Sequence, residues 1–357
     1  MVNVRDAWMV SKQAARHYQC SAITRFIKLV YLRIVYGYRL KAVKFNDLLK
    51  PGSRITFESK WPGKRARQYI NLLNPLEHIG ETDDKIRFAK TCLKEMIQAP
   101  AICGIFKPGG EFHSLEEGSQ CPLSWETFLD TCVCDDFVVK PQFGYGGNLV
   151  YVFHKENDRI QSSDFGTMTS HQFYEKLITL YTSCPALIQE RVYNHSDLEN
   201  LFQVKVLTTV RVNVIRKEKG DDHVFFALIK FPGKDREIDN FGSGKSEGIT
   251  GEVNIETGTI ETTIQGVEHE FGFKIITHHP VTGTQIQGVK IPLWKQTCEL
   301  AIHASSEMKH LRSVGWDIGI TPHGPRIIEG NSAWGYPFTK DRIHYVQQEL
   351  VKVCGKL

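Results

Sequence analysis

The chain has 357 residues, more than a single hydrophobic core usually supports, so two or three lobes are expected. Its 41% hydrophobic and 24% charged content excludes a disordered or fibrous protein, and a net charge of +4 gives no reason to invoke nucleic acid. The nine cysteines lack paired spacing, with Cys132 and Cys134 too close for a CxxC redox or zinc motif, and read as free thiols in a reducing cytoplasm.

Residues 1–50 read as mostly helical and strongly basic, with ten Lys and Arg against two acids, Asp6 and Asp47. Within them residues 23–38 are apolar but interrupted by Arg25, Lys28 and Arg33. A spanning helix needs about 20 mainly apolar residues, so this stretch reads as an amphipathic helix. It either docks on the rest of the protein or makes weak peripheral contact with an anionic membrane. The first twenty residues lack the apolar run of a secretory signal.

Pro51-Gly52 breaks the helical run. Residues 83–98 then place Ile86, Phe88, Ala89, Cys92, Leu93 and Met96 at helical spacing behind an acidic start, stopped by Pro100. A strand is expected over 101–106 and a helix over 125–131. Further strands are expected at 137–140, 149–153, 186–190, 208–216, 224–231, 253–257 and 259–264. A helix over 293–310, a last pair of strands and a helix near 342–353 complete the chain. Runs of strands with helices between them predict α+β lobes instead of one doubly wound sheet.

Residues 315–331, GWDIGITPHGPRIIEGN, carry the strongest signal. Pro322-His323-Gly324 is a turn, and the flanks read as two antiparallel strands. Pairing that is symmetric about His323 sets Asp317 opposite Glu329, and like charges there are destabilising unless a cation neutralises them. Asn331, two residues on, projects from the same face. Two carboxylates and an amide oxygen make a hard-oxygen site suited to Mg²⁺ shared with nucleotide phosphates.

Two glycine stretches carry weaker signals. Residues 138–147, VVKPQFGYGG, place Lys140 at the end of an apolar strand before Gly144, Gly146 and Gly147. Such a loop lets backbone N–H groups approach an anion, although similar turns also simply join strands. Residues 239–246, DNFGSGKS, resemble the end of a phosphate-binding P-loop. The first glycine position is Asp239, however, and the following sequence reads as strand and turn where a P-loop opens a helix. The stretch reads as a loop from which Lys245 reaches substrate or phosphate.

In order, these features resemble the ATP-grasp superfamily and, more narrowly, the sugar-transfer-associated ATP-grasp family, over roughly residues 69–331. The resemblance rests on Asn74-Pro75, Asp84-Lys85, Val139-Lys140-Pro141 with its glycine loop, and Ile188-Gln189-Glu190. It continues through Thr209 to Val212, Asp239-Asn240, His279 to Gly283, Ile291 to Trp294, Gly315-Trp316-Asp317 and Glu329-Gly330-Asn331. It implies an ATP-grasp fold in which two α+β lobes grip ATP, with a helical N-terminal extension. The implied division is 1–68 for the extension, 69–135 for a preceding lobe, 136–192 for the small lobe and 193–357 for the large lobe with the metal site.

The resemblance further implies that Lys85, Lys140 and the loop of Gly144, Gly146 and Gly147 hold the phosphates. Residues Gln189, Glu190 and Val192 would line the adenine pocket, and Asp197 would take the ribose. Arg211, on a strand face with Thr209 and Asn213, would stabilise the transferring phosphoryl group, with a structural salt bridge as the alternative. Asp317, Glu329 and Asn331 would bind one or two Mg²⁺. Catalysis would fall to Lys140, Arg211 and Lys245, and acceptor binding to Lys230, Asp239, Asn240, Ser243 and Gly244. The chain departs from the family pattern at Gly244-Lys245-Ser246 and at Lys230-Phe231, both where the acceptor binds.

The implied activity is amide ligation through an acyl phosphate, joining a small-molecule carboxylate and an amine. An amino acid with a sugar acid or amino sugar, as in surface-polysaccharide synthesis, would fit the family association. A phosphotransferase acting on a hydroxyl and a non-catalytic nucleotide-binding protein are the alternatives.

Overall fold

The structure, a computed structural model, describes residues 4–53, 64–114, 124–131, 134–144, 148–157, 159–202, 206–217, 221–231, 248–266 and 271–355. These form two seven-stranded, wholly antiparallel sheets with helices packed on them, the expected α+β arrangement of two lobes.

The N-terminal segment is helical, with α1 (Val4–His17), α2 (Ala22–Tyr36) and α3 (Leu40–Phe45). Small side chains at Ala7, Ser11 and Ala14 are buried along one face of α1, and α2 packs beside that helix. Leu29, Leu32, Tyr38, Val43 and Leu49 close a separate core that also takes in Phe271. Gly272 N donates to Lys44 O, and the Phe45 and Phe273 rings lie 5.2 Å apart. The extension therefore docks against residues 271–273 of the protein. The other face of α2 still exposes Ile23, Ile27, Tyr31, Ile34 and Val35. No helix among the described residues is long and apolar enough to cross a membrane.

After α4 (Lys64–Leu73) and the short α5 (Gly80–Asp83), the helix expected over 83–98 is α6 (Lys85–Lys94). Asp84 separates α5 from α6 because it is extended, and its carboxylate caps α6 by accepting from Ile86 N and Arg87 N.

The first lobe contains β1 (Ile102–Lys107), β2 (Glu111–His113), α7 (Trp125–Thr131), β3 (Asp136–Pro141), β4 (Tyr151–Glu156), β5 (Arg159–Ser162), β6 (Gly166–Thr169), α8 (Ser170–Leu180) and β7 (Ala186–Glu190). Its sheet order is β2-β1-β7-β3-β4-β5-β6, so the strands of 102–113 join the same sheet as those of 136–190. Alternation explains the orientation of β3: Phe137 and Val139 enter a core with Phe153, Ile160 and Phe173. Val138 and Lys140 are left facing the second lobe.

After α9 (Ser196–Phe202), the second lobe contains β8 (Thr209–Arg216), β9 (Asp222–Phe231), β10 (Ile249–Val253), β11 (Ile260–Gly266), β12 (Phe273–Ile276), α10 (Trp294–Glu307), β13 (Ser313–Thr321), β14 (Gly324–Asn331) and α11 (Lys340–Cys354). Its sheet order is β12-β11-β10-β9-β8-β13-β14. Val210, Val212, Val214, Trp316 and Ile318 fill the core beneath α10, which again turns Thr209, Arg211 and Asn213 to the opposite face. The strand expected at 253–257 ends at Val253, because Asn254 folds the next residues into a turn by accepting from Glu256 N and Thr257 N. On the far side, α4 and α11 cover Phe225, Phe226 and Trp334.

Candidate active site

A cavity of about 390 Å³ lies between the lobes and is lined from both sheets. The first lobe contributes Val138, Lys140, Val152, Gln189 to Val192 and Gly144, together with Lys85 from the start of α6. The second contributes Val206, Leu207, Arg211, Lys230, Asp317, Ile328, Glu329 and Asn331. Its chemistry is divided: an apolar slot of valines and leucine at one end, and four cations around two carboxylates at the other.

The hairpin of β13 and β14 builds the polar end. Thr321 pairs with Gly324, so the turn has two residues, Pro322 and His323, and is not centred on His323. That register continues through Ile318 with Ile327, and then a bulge restores the pairing of Asp317 with Glu329. The extra residue is Ile328. With Ile328 paired regularly and no bulge, Glu329 would fall opposite Trp316 and point to the core face, since strand side chains alternate. The expected pairing is therefore present, but it depends on a bulge that offsets the shorter turn.

Across the sheet, Asp317 pairs with Glu329 on one side and Arg211 on the other. Asp317 is 4% exposed. Arg211 grips it with two bonds, Nε to Oδ1 at 2.7 Å and Nη2 to Oδ2 at 2.5 Å, and Lys230 Nζ lies 2.7 Å from Oδ2. Burial pushes the Asp317 carboxyl up, but Arg211 and Lys230 outweigh it and hold the group well below the usual carboxylate range. The cation required by sequence reasoning is thus supplied to Asp317 by protein side chains in this arrangement. Asn331 Nδ2 lies 3.4 Å from Asp317 Oδ2 and 3.5 Å from Glu329 Oε1, so the three ends converge. With its amide turned over, Asn331 adds a third oxygen, and this all-oxygen donor set fits a hard divalent cation.

The opposite wall is held by a small network. Lys140 Nζ donates to Ile328 O, the carbonyl carried by the bulge, at 3.3 Å. Burial pushes Lys140 down to about 8, Glu329 opposes that shift and Lys85 adds to it. Lys85 Nζ donates to Gly144 O at 2.8 Å, and Gln142 Nε2 donates to Asp84 Oδ2 at 2.8 Å. The start of α6 therefore fastens the glycine loop. Gly146 and Gly147 lie outside the described residues, as do Asp239, Asn240, Ser243, Gly244 and Lys245.

Other expected residues have different surroundings. The Glu190 carboxylate accepts from Ala101 N at 2.8 Å and Arg326 Nη1 at 3.1 Å, and so joins the two sheets at the rim. Asp197 does not line this cavity. His195 N donates to Ile320 O at 2.7 Å, and α9 then carries Asp197 to a second cavity beside Leu201, Glu256 and Trp294. Lys230, expected at the acceptor, instead contacts Asp317. Sequence reasoning missed the apolar slot, although Val138 in a strand whose Phe137 and Val139 are core residues already indicated two buried faces.

The family described as sugar-transfer associated ATP-grasp matches residues 64–341. No curated protein matches the chain in sequence. Among solved structures, an N5-carboxyaminoimidazole ribonucleotide synthetase in complex with ADP is 11% identical with a TM-score of 0.40, over 72% of this chain and 46% of that one. A biotin carboxylase from Campylobacter jejuni, in complex with an ATP compound, is 11% identical with a TM-score of 0.45, over 80% and 49%. The VanG D-Ala:D-Ser ligase from Enterococcus faecalis is 12% identical with a TM-score of 0.43, over 76% and 61%. The match thus spans about half the length of the first two structures. Likenesses this distant bear on neither chemistry nor substrate.

Proposed function

Because the chain belongs to the sugar-transfer associated ATP-grasp family, we propose that it is a Mg·ATP-dependent ligase that joins a carboxylate to an amine. The observation that carries this reading is the convergence of Lys85, Lys140, Arg211 and Lys230 with Asp317, Glu329 and Asn331 around one cavity that also has an apolar slot. The slot between Val138, Val152, Val206 and Leu207 takes the adenine, and the chain at Gln189 to Val192 reads its edge. With the Glu190 carboxylate engaged by Arg326, main-chain groups are left to do that reading. Lys85, Lys140 and the glycine loop hold the phosphates.

Asp317, Glu329 and Asn331 would hold Mg²⁺, which would supply charge neutralisation for the phosphates. Arg211 and Lys230 then turn from Asp317 to the transferring phosphoryl group. A substrate carboxylate oxygen attacks the γ-phosphorus and the bond to the bridging oxygen breaks, giving an acyl phosphate and ADP. The amine nitrogen attacks the acyl carbon, phosphate leaves with the bonding pair, the amine loses a proton, and an amide remains. The protein contributes alignment and charge, with no protein nucleophile. Lys245, Asp239, Asn240, Ser243 and Gly244 are assigned to the acceptor side.

The family association favours an amino acid and a sugar acid or amino sugar as the two reactants, in the cytoplasm. The exposed apolar face of α2, within a segment rich in Lys and Arg, would hold the enzyme weakly at an anionic membrane. A screen pairing amino acids with uronic acids and amino sugars, read by ADP release and product mass, tests the activity. The expected result is ADP, phosphate and an amide, lost in Asp317→Asn. A phosphorylated acceptor would replace this reading with phosphotransfer, and Mg·ATP binding with no ADP from any pair would replace it with a binding role.

A further inference from the structure

Outside the cavity, two histidines and one carboxylate meet from segments far apart in the chain. His78 lies in the turn before α5, Glu81 lies within α5, and His310 lies in the turn between α10 and β13. Glu81 is 7% exposed. Its Oε1 is 2.6 Å from His310 Nδ1 and 3.8 Å from His78 Nδ1. The two imidazoles stack with centroids 4.2 Å apart and planes 12° apart, and one donor atom from each residue falls within 4.8 Å of the others.

This is an unusual setting for a carboxylate. Among the described residues, the side-chain partners of this buried anion are these two imidazoles, with no Lys or Arg in contact. A neutral imidazole offers a hydrogen bond but no balancing charge, and burying an uncompensated charge is costly. A divalent cation between the three side chains supplies that charge and uses both imidazole nitrogens.

We propose that His78, Glu81 and His310 form a binding site for a borderline-soft divalent cation of the Zn²⁺ class. Two nitrogens and one carboxylate oxygen suit Zn²⁺, whereas the all-oxygen set of Asp317, Glu329 and Asn331 suits Mg²⁺, so donor chemistry separates the sites. Zinc–nitrogen bonds of about 2.0–2.1 Å require the donors to close in and the two rings to splay from their stack, so that each nitrogen lone pair points at the ion. His310 can accommodate this because it lies on a turn and its side chain is 58% exposed. The His78 and His310 side chains are 35% and 58% exposed, which leaves a fourth position to water.

The location gives the cation a structural effect. Asp83, two residues on in the same short helix, accepts from Ser332 Oγ at 2.9 Å just beyond Asn331. Asn74 Nδ2 donates to Ser313 O and Ser332 O, each at 2.6 Å. Gly330 has no Cβ, and one placed there would strike Thr82 and Trp316. A cation joining α5 to the turn before β13 therefore braces the base of the hairpin that carries Asp317 and Glu329. The site does not depend on the proposed ligase activity.

Co²⁺ titration of the full-length, tag-free, metal-depleted protein tests this. The expected result is one equivalent of four-coordinate Co²⁺ with strong visible absorption, displaced by Zn²⁺, lost in His310→Ala and Glu81→Gln, and retained in Asp317→Asn. Saturating Zn²⁺ should raise Tm by roughly 3–5 °C in the wild type and not in His310→Ala. Circular dichroism and the Tm of metal-free His310→Ala check that the variant is folded. Absence of the four-coordinate spectrum, its survival in His310→Ala, or its loss in Asp317→Asn would overturn the proposal.

Discussion

Lys140 reaches the cavity from β3 with its ammonium almost wholly enclosed, its Nζ donating to the Ile328 carbonyl of the other lobe. Burial pushes it down to about 8, whereas its role in the proposed complex requires the charged form. Below that pH the lysine is already protonated, and ATP binds without exchanging a proton with it. Above it the lysine is largely neutral, so binding must take up a proton and affinity falls as pH rises. Calorimetry at pH 8.5–9 in buffers of different ionisation enthalpy should detect that proton uptake in the wild type and not in Lys140→Met. An affinity independent of pH across this window would contradict the assignment. Most of the polar residues were legible in the sequence, since Lys140, Arg211, Asp317 and Glu329 stand at strand positions where an apolar alternation is interrupted by charge. The contact between Lys230 and Asp317 was not, because β9 and β13 are separated by β8 and the pair forms diagonally across the sheet. The place of Asp197 in a second cavity was not legible either, because it is set by the turn that directs α9 away from Val192.

Among the elements, the β13–β14 hairpin and α2 show what periodicity can and cannot specify. Counting outward from His323 identified the facing acids, but the two-residue turn and the bulge at Ile328 are set by main-chain geometry that residue types alone do not encode. For α2, alternation of charge with apolar residues indicated an amphipathic helix. The structure adds that Leu29 and Leu32 face the core while Ile23, Ile27 and Ile34 remain outside, each more than 60% exposed. Helical spacing puts these three on one stripe. Co-sedimentation with vesicles containing anionic phospholipid should retain the wild type at low salt. Binding should fall by about tenfold or more in the Ile27→Asp, Ile34→Asp pair, and it should weaken as salt screens the basic residues. Equal binding by the pair, or none by the wild type, would remove the membrane contact from the account.

At the scale of the whole molecule, the proposed function rests on two sheets that line one cavity. Polar contacts between the lobes among the described residues include Lys140 on Ile328 O and Arg326 on Glu190. Closure over a nucleotide would therefore act directly on the hairpin. The two-lobed plan was legible from length and from the run of strands, but the membership of each sheet was not. β1 and β2 join the first sheet through β7, about eighty residues later, a pairing that no local pattern specifies. The central claim is that this cavity binds ATP together with a divalent cation held by Asp317, Glu329 and Asn331. Isothermal titration with ATP, with and without Mg²⁺, in the wild type and Glu329→Gln tests it most directly. The account predicts wild-type binding that Mg²⁺ strengthens, and a variant whose affinity in Mg²⁺ is about tenfold or more weaker and largely indifferent to the ion. Equal, Mg²⁺-enhanced binding by both proteins would contradict it.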